Sequence, residues 1–199
     1  MSKTILDNLF GSRVRVKLLR LLFRQYPTTF SMAELSTRIQ EPTFIARREI
    51  DGLRDIGLVR RSRGPGNTAD RYALNGEFDF FTELRDLILK PSPAENEHLV
   101  KRINSLGRVK LAILAGIFVS RPDDLTYETP ADLFIVGDDI DRGRLTKFLK
   151  SLEAEIGTEI RFGVMEKEDF TYRFKMFDRF VRVLLEGPHR KIINKLGLE

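Results

Sequence analysis

The 199-residue sequence has no cysteine, which excludes disulfides, thiol nucleophiles and cysteine-rich zinc or iron–sulfur sites. It has two histidines, His98 and His189. They fall on different expected elements, with no serine or carboxylate at a recognisable catalytic spacing, so a hydrolytic triad is not indicated. No apolar run approaches the roughly 18 to 20 residues that span a bilayer, and the N-terminus lacks the apolar core of a signal peptide. There is no internal repeat and no low-complexity tract. A soluble, cytoplasmic chain with no membrane partner, metal or cofactor is expected.

Positive charge is present in excess and is unevenly placed. Of 34 Lys+Arg and 29 Asp+Glu, residues 1–90 hold 16 and 11, which leaves 18 of each sign for residues 91–199. The whole formal excess of +5 therefore lies in the first half. A basic half beside a neutral one suggests that only the first meets a polyanion, because neutralised phosphates release counterions and so supply affinity.

Local patterns in that half predict a series of short elements. A helix runs from the N-cap Ser12 to Gln25, with Val14, Leu18, Leu21 and Leu22 on its buried face. Ser31 and Glu34 form a capping-box pattern that opens a second helix with Met32, Leu35 and Ile39 inward. Gln40, Glu41 and Pro42 make a turn, and Pro42 presets the start of the next helix near Thr43. Ala46, Ile50 and Leu53 form the core stripe of that helix. At about 100° per residue, the opposite side carries Phe44, Arg47, Arg48 and Asp51.

Gly57 closes the helix, and a basic strand with Arg60 and Arg61 follows. Arg63-Gly64-Pro65-Gly66-Asn67 then forms a hairpin tip, and Arg71 to Leu74 the return strand. Two helices about a tight turn, followed by a charged hairpin, constitute a winged helix-turn-helix. That order places one helix in the DNA major groove and the wing along the backbone. The expected DNA-binding residues are Thr43, Phe44, Arg47, Arg48, Arg60, Arg61, Arg63, Asn67 and Arg71, with the recognition helix at 43–56 and the wing at 58–74. An ordinary salt-bridged helix surface, with Arg47 and Arg48 against Glu49, Asp51 and Asp55, is the alternative. One such helix and wing cover only a half-site, so a homodimer on double-stranded DNA is expected.

A further helix over 78–90 is apolar through Phe80, Phe81, Leu84, Leu87 and Ile88. It either completes the first core or forms a dimer contact. Pro91-Ser92-Pro93 marks the domain boundary. Beyond it the pattern predicts a helix at 94–105, strands at 109–118 and 132–136, a helix at 142–156 and a strand at 159–165. A long helix at 167–185 and a short strand at 191–194 complete a small α/β domain. Phe162, Phe170, Phe174, Phe177 and Phe180 are expected in its core, and Asp138, Asp139 and Asp141 as helix-start carboxylates rather than metal ligands. Asp123, Asp124 and Glu128 are expected to be solvated.

The segment Leu114-Ala115-Gly116-Ile117-Phe118-Val119-Ser120, with Thr129-Pro130-Ala131-Asp132 beyond it, resembles the start of a minimal nucleotidyltransferase domain. In that family a Gly-Ser pair holds nucleotide phosphates. Two aspartates one residue apart, with a third carboxylate, hold two divalent cations. Gly116 and Asp132 match. Ile117 replaces the serine, Pro130 the first aspartate, and Arg161 lies on the strand that should supply the third carboxylate. Two hard cations need several oxygen ligands, so the resemblance implies a fold that has lost its reaction.

Over residues 10–196, including Phe170-Thr171-Tyr172-Arg173 and Glu186-Gly187-Pro188, the chain resembles winged-helix transcriptional regulators that carry such a domain. The resemblance implies an α+β protein with a winged helix-turn-helix domain at 1–90 and a small nucleotidyltransferase-like domain with a mixed sheet at 91–199. The second domain would serve dimerisation or sensing, with any small-molecule or protein effector unassigned. Two other readings stand beside it: an active nucleotidyltransferase using Asp132, and a non-catalytic partner of a toxin-like protein.

Overall fold

The structure is a computed structural model that describes residues 4–64, 66, 69–90, 93–119 and 128–198, without the side chains of 93–95. The expected wing-tip residue Asn67 lies outside the described residues, as do Asp123 and Asp124. Both helices and sheets are present, so the chain is a mixed α/β protein. Contacts divide it into two units, one of residues 1–90 with 150–158, the other of 91–149 with 159–199. A single boundary after Lys90 does not describe this division, because the chain re-enters the first unit at Lys150.

The first unit begins with α1 (Ile5–Leu9), which the sequence patterns did not announce, and α2 (Arg13–Arg24), capped by Ser12. Strand β1 (Phe30–Ser31) leads into α3 (Met32–Ile39), and α4 (Thr43–Asp55) follows a turn in which Gln40 is left-handed. The hairpin is β2 (Val59–Arg63) and β3 (Asp70–Leu74), and α5 (Phe81–Leu89) closes the unit. Leu18, Leu22, Leu35, Ile39, Ala46, Ile50, Tyr72 and Ile88 meet in one core. Two-residue β1 was too short to read from its sequence. It pairs with β3, Phe30 opposite Tyr72 and Ser31 opposite Arg71, so the hairpin is part of a three-stranded antiparallel sheet.

The Ser31–Glu34 capping box is formed: the Ser31 N–H donates to Glu34 Oε2 at 2.6 Å and the Glu34 N–H to Ser31 Oγ at 3.3 Å. The Ser31 backbone N–H, foremost, holds the Glu34 carboxyl below the usual glutamate range. A carboxylate with a lowered folded-state value adds stability above its unfolded value and loses it as pH falls through the folded one. Glu34→Gln is therefore expected to cost about 0.5 kcal/mol or less at pH 7 for this exposed group. The difference should shrink as the pH falls below the usual glutamate range and vanish once the folded-state carboxyl is protonated, as read by unfolding midpoints of variant and parent.

The second unit contains α6 (Pro93–Asn104), β4 (Arg108–Ala115), β5 (Leu133–Asp138) and the first half of α7 (Arg142–Ile156). It continues with β6 (Phe162–Met165), α8 (Lys167–Lys175), α9 (Arg179–Glu186) and β7 (His189–Asn194). The sheet order is β6-β5-β4-β7, with β4 antiparallel to both neighbours and β6 parallel to β5, which makes it mixed. Leu111, Ile113, Phe134 and Val136 on one face pack with Phe170, Val181 and Leu184 of α8 and α9.

Three expectations fail in this unit. The strand expected to reach Phe118 ends at Ala115, where Gly116 opens a 3-10 turn. The long helix expected at 167–185 is broken at Phe177, and the Asp178 carboxylate caps α9. Of the five phenylalanines expected in the core, Phe162, Phe174 and Phe177 are exposed. Helical spacing groups side chains on one face but does not show whether that face is covered.

Candidate nucleic-acid interface

Helix α4 turns Ala46, Ile50 and Leu53 inward, which leaves Thr43, Phe44, Arg47 and Arg48 on its exposed side. Phe44 is 74% exposed. The Thr43 hydroxyl donates to Ser36 Oγ at 3.0 Å, tying the helix start back to α3. The Arg48 side chain is 77% exposed and lies 3.4 Å from the Glu49 carboxylate. Glu49 itself is only 4% exposed. Its carboxylate accepts from Ser12 Oγ at 2.9 Å and Arg15 Nε at 3.0 Å, while Asp51 pairs with Arg54 at 2.9 Å. Glu49 is thus shared between Arg48 on α4 and the start of α2, and Asp51 is taken by Arg54 of the same helix.

The wing divides its arginines. Opposed residues of an antiparallel pair share a face, so Arg61 with Tyr72 and Arg63 with Asp70 lie on one side, Arg60 with Ala73 on the other. No single face of the ribbon presents Arg60 and Arg61 together. Arg61 pairs with Asp70 at 2.6 Å, and that hydrogen bond raises the guanidinium pKa above its usual range. Arg60 pairs with Glu77.

Arg71 is engaged within the first unit. Its three nitrogens donate to the Thr29 hydroxyl, the Thr29 carbonyl and Glu34, the last at 2.9 Å. It braces β3 against the start of α3. A partner in the capping box decides this, and nothing in Arg71-Tyr72-Ala73-Leu74 reveals it.

Part of the first half's basicity is also used internally. Arg13 pairs with Glu155 at 2.7 Å, Arg20 donates to the Glu155 carbonyl at 3.3 Å, and Arg24 donates to the Ile156 carbonyl at 2.9 Å. Basic side chains on the last carbonyls of a helix are favourable there. Buried Lys17 donates to the Ile39 carbonyl at 3.1 Å and also bonds Glu41, locking the turn between α3 and α4. Arg13, Lys17, Arg20 and Arg24 recur at i, i+4, i+7 and i+11, a cationic stripe that was legible as a row of donors in need of acceptors.

The pair expected as a degenerate cleft is brought together. Asp132 is 2% exposed. Its Oδ2 accepts from Arg161 Nε at 3.1 Å and the Arg161 N–H at 3.0 Å, its Oδ1 from Arg161 Nη2 at 3.0 Å and the Ile117 N–H at 3.3 Å. Arg161 also donates to the Thr129 carbonyl at 2.9 Å, and its bond to Asp132 raises its pKa. The carboxylate thus faces a guanidinium across a bidentate pair.

Gly116 is left-handed at φ +47°, and a Cβ there would lie 2.1 Å from Asp132 Oδ1. Asp141 caps α7 through the Arg144 N–H at 2.9 Å, which lowers its pKa, and Asp138 accepts from the first N–H of α8 at 3.3 Å. Among the described residues no group of three or more His, Asp or Glu is placed to hold a metal. No helix among them is long and apolar enough to cross a membrane.

No protein-family model matches this chain, and no curated protein matches it. Several solved structures overlap about half of it, transcriptional regulators among them. BldR of Sulfolobus solfataricus is 18% identical over 50% of this chain and 78% of its own, with a TM-score of 0.35. ZitR of Lactococcus lactis, solved as a cysteine-to-serine mutant, is 15% identical over 48% and 72%, with a TM-score of 0.31. BpsR of Bordetella bronchiseptica, whose DNA binding is regulated by 6-hydroxynicotinic acid, is 13% identical over 53% and 94%, with a TM-score of 0.30.

Proposed function

We propose that this protein is a sequence-specific regulator that binds double-stranded DNA as a homodimer, with α4 in the major groove. The observation that carries this reading is the outer face of α4. Phe44, Arg47 and Arg48 are exposed on a helix tied to the start of α2 through Glu49, with Lys17 holding the turn that precedes it. Arginine forks match the acceptors of guanine, and an aromatic side chain can rest on a thymine methyl. Thr43 lies at the same end of the helix.

Arg60, Arg61 and Arg63 contact phosphates, and Asn67 belongs to the wing tip. Arg71 stays in its brace. Since Arg60 and Arg61 occupy opposite faces, they serve different phosphates. Residues 91–199, apart from the returning 150–158, form a nucleotidyltransferase-like unit without the reaction, used in dimerisation or sensing. The engagement of Asp132 with Arg161 supports its inactivity.

Arg48→Ala is expected to change the ranking of duplexes and to weaken the preferred one by about 1–3 kcal/mol. Arg61→Ala should weaken all duplexes alike and lower the slope of log affinity against log salt by about one. Fluorescence anisotropy over a salt series checks both. The duplexes come from selection out of a random pool, which should enrich an inverted repeat. A pool that stays random overturns the reading.

A further inference from the structure

The turn between α8 and α9 carries an apolar knuckle. The Asp178 N–H donates to the Arg173 carbonyl at 3.0 Å and the Phe177 N–H to the Phe174 carbonyl at 3.3 Å, while Phe177 sits at φ 52°. This is the left-handed helix end that glycine ordinarily fills. A bulky residue there is strained, and its ring is 79% exposed, with Met176 beside it 63% exposed. Glycine would suit the turn and the solvent better, so the pair answers some other need.

Two exposed cations flank the knuckle. Neighbouring Arg173 and Arg182 are paired with Asp169 and Glu186. Lys175 and Arg179 are exposed and have no acidic partner among the described residues.

The first unit carries the complementary surface. Helix α5 turns Phe81, Leu84 and Ile88 to its core, which leaves Phe80, Glu83 and Leu87 on the outer side at i, i+3 and i+7. Phe80 is 65% and Leu87 43% exposed. Glu83 and Asp86 are exposed and have no basic partner among the described residues. Apolar side chains ringed by acids on one surface match apolar side chains ringed by bases on the other.

We propose that the Met176–Phe177 knuckle of one copy docks on the α5 face of a second copy. Phe177 lies against Phe80 and Leu87, while Lys175 and Arg179 face Glu83 and Asp86. Each copy carries both surfaces, and their reciprocal use about a two-fold axis is the form of the dimer proposed. A partly exposed aromatic anchor between charged rims is the composition expected of an interface centre. The chain itself supplies the acidic, apolar occupant that the knuckle calls for. The inference specifies the surface of the homodimer proposed above and does not rest on how DNA is read.

The test is sedimentation velocity of the full chain, without DNA, over a concentration series. The parent should pass from monomer to dimer. Phe177→Gly should weaken association by about tenfold or more while raising the unfolding temperature, because the strain in the turn is removed. Lys175→Glu with Arg179→Glu should weaken it similarly. Adding Glu83→Lys and Asp86→Lys to that pair should restore most of the loss.

A parent that stays monomeric, or a Phe177→Gly variant that associates like the parent, overturns the proposal. Charge reversal on the knuckle that the α5 reversal does not rescue also overturns it, since the knuckle would then meet an acidic partner other than this chain. Duplex titrations of Arg48→Ala run in parallel separate this failure from a failure of the DNA reading.

Discussion

Asp132→Ala is expected to destabilise the second unit by about 3 kcal/mol, a loss of fold rather than of catalysis. The carboxylate is buried and accepts from two backbone N–H groups and two guanidinium nitrogens. Removing one side of a fully buried pair costs roughly 3–5 kcal/mol. Here the Arg161 side chain is 57% exposed and regains water, which lowers that cost. The part-buried Ile117 and Arg161 N–H groups lose this acceptor as well, and a donor kept from water costs about 1–3 kcal/mol when its acceptor is removed.

Arg161→Ala should cost less alone. In the double variant the two changes should be non-additive by roughly 0.5–3 kcal/mol, the coupling of groups in contact. Denaturant unfolding of the four proteins measures this. Incubation with labelled nucleoside triphosphate and magnesium adds a second readout. Transfer by the parent that Asp132→Ala abolishes without unfolding would replace this account with an active nucleotidyltransferase.

Gly157→Ala is the second large effect, expected to lower stability by about 3 kcal/mol. Gly157 follows α7 at φ +85°, and a Cβ would lie 2.4 Å from Leu21 N, 2.6 Å from Leu21 Cα and 2.7 Å from Arg20 C. A left-handed non-glycine residue costs roughly 1–2 kcal/mol, and overpacking adds about 1–3 kcal/mol. The obstructing atoms are helical backbone, which cannot swing aside as a side-chain end would. Arg20 and Arg24 also hold the adjacent carbonyls of Glu155 and Ile156. Thermal unfolding checks the value, and hydrogen exchange should show the loss in α2. A variant as stable as its parent would remove 150–158 from the first unit.

Much of α3, the turn and α4 was legible because its determinants act within about four residues. The Ser31–Glu34 box, the proline at 42 and the Ala46–Ile50–Leu53 stripe each state their consequence locally. The exposure of Phe44, Arg47 and Arg48 follows from that stripe. Gly116 and Asp132 were legible as a pair only through a resemblance.

Sequence by itself determined the order of α2, α3, α4 and the hairpin, though neither α1 nor the two-residue β1, together with the outward side of α4 and the position of the charge excess. Tertiary structure alone decided that Glu49 turns inward, that Arg71 is a brace, that 150–158 joins the first unit and that Phe177 stands in solvent. The physical reason is range. Helix caps and periodicity are set by neighbours along the chain, whereas a guanidinium or a carboxylate takes its role from partners such as Ser12 for Glu49 or Glu34 for Arg71, 37 residues away in both cases.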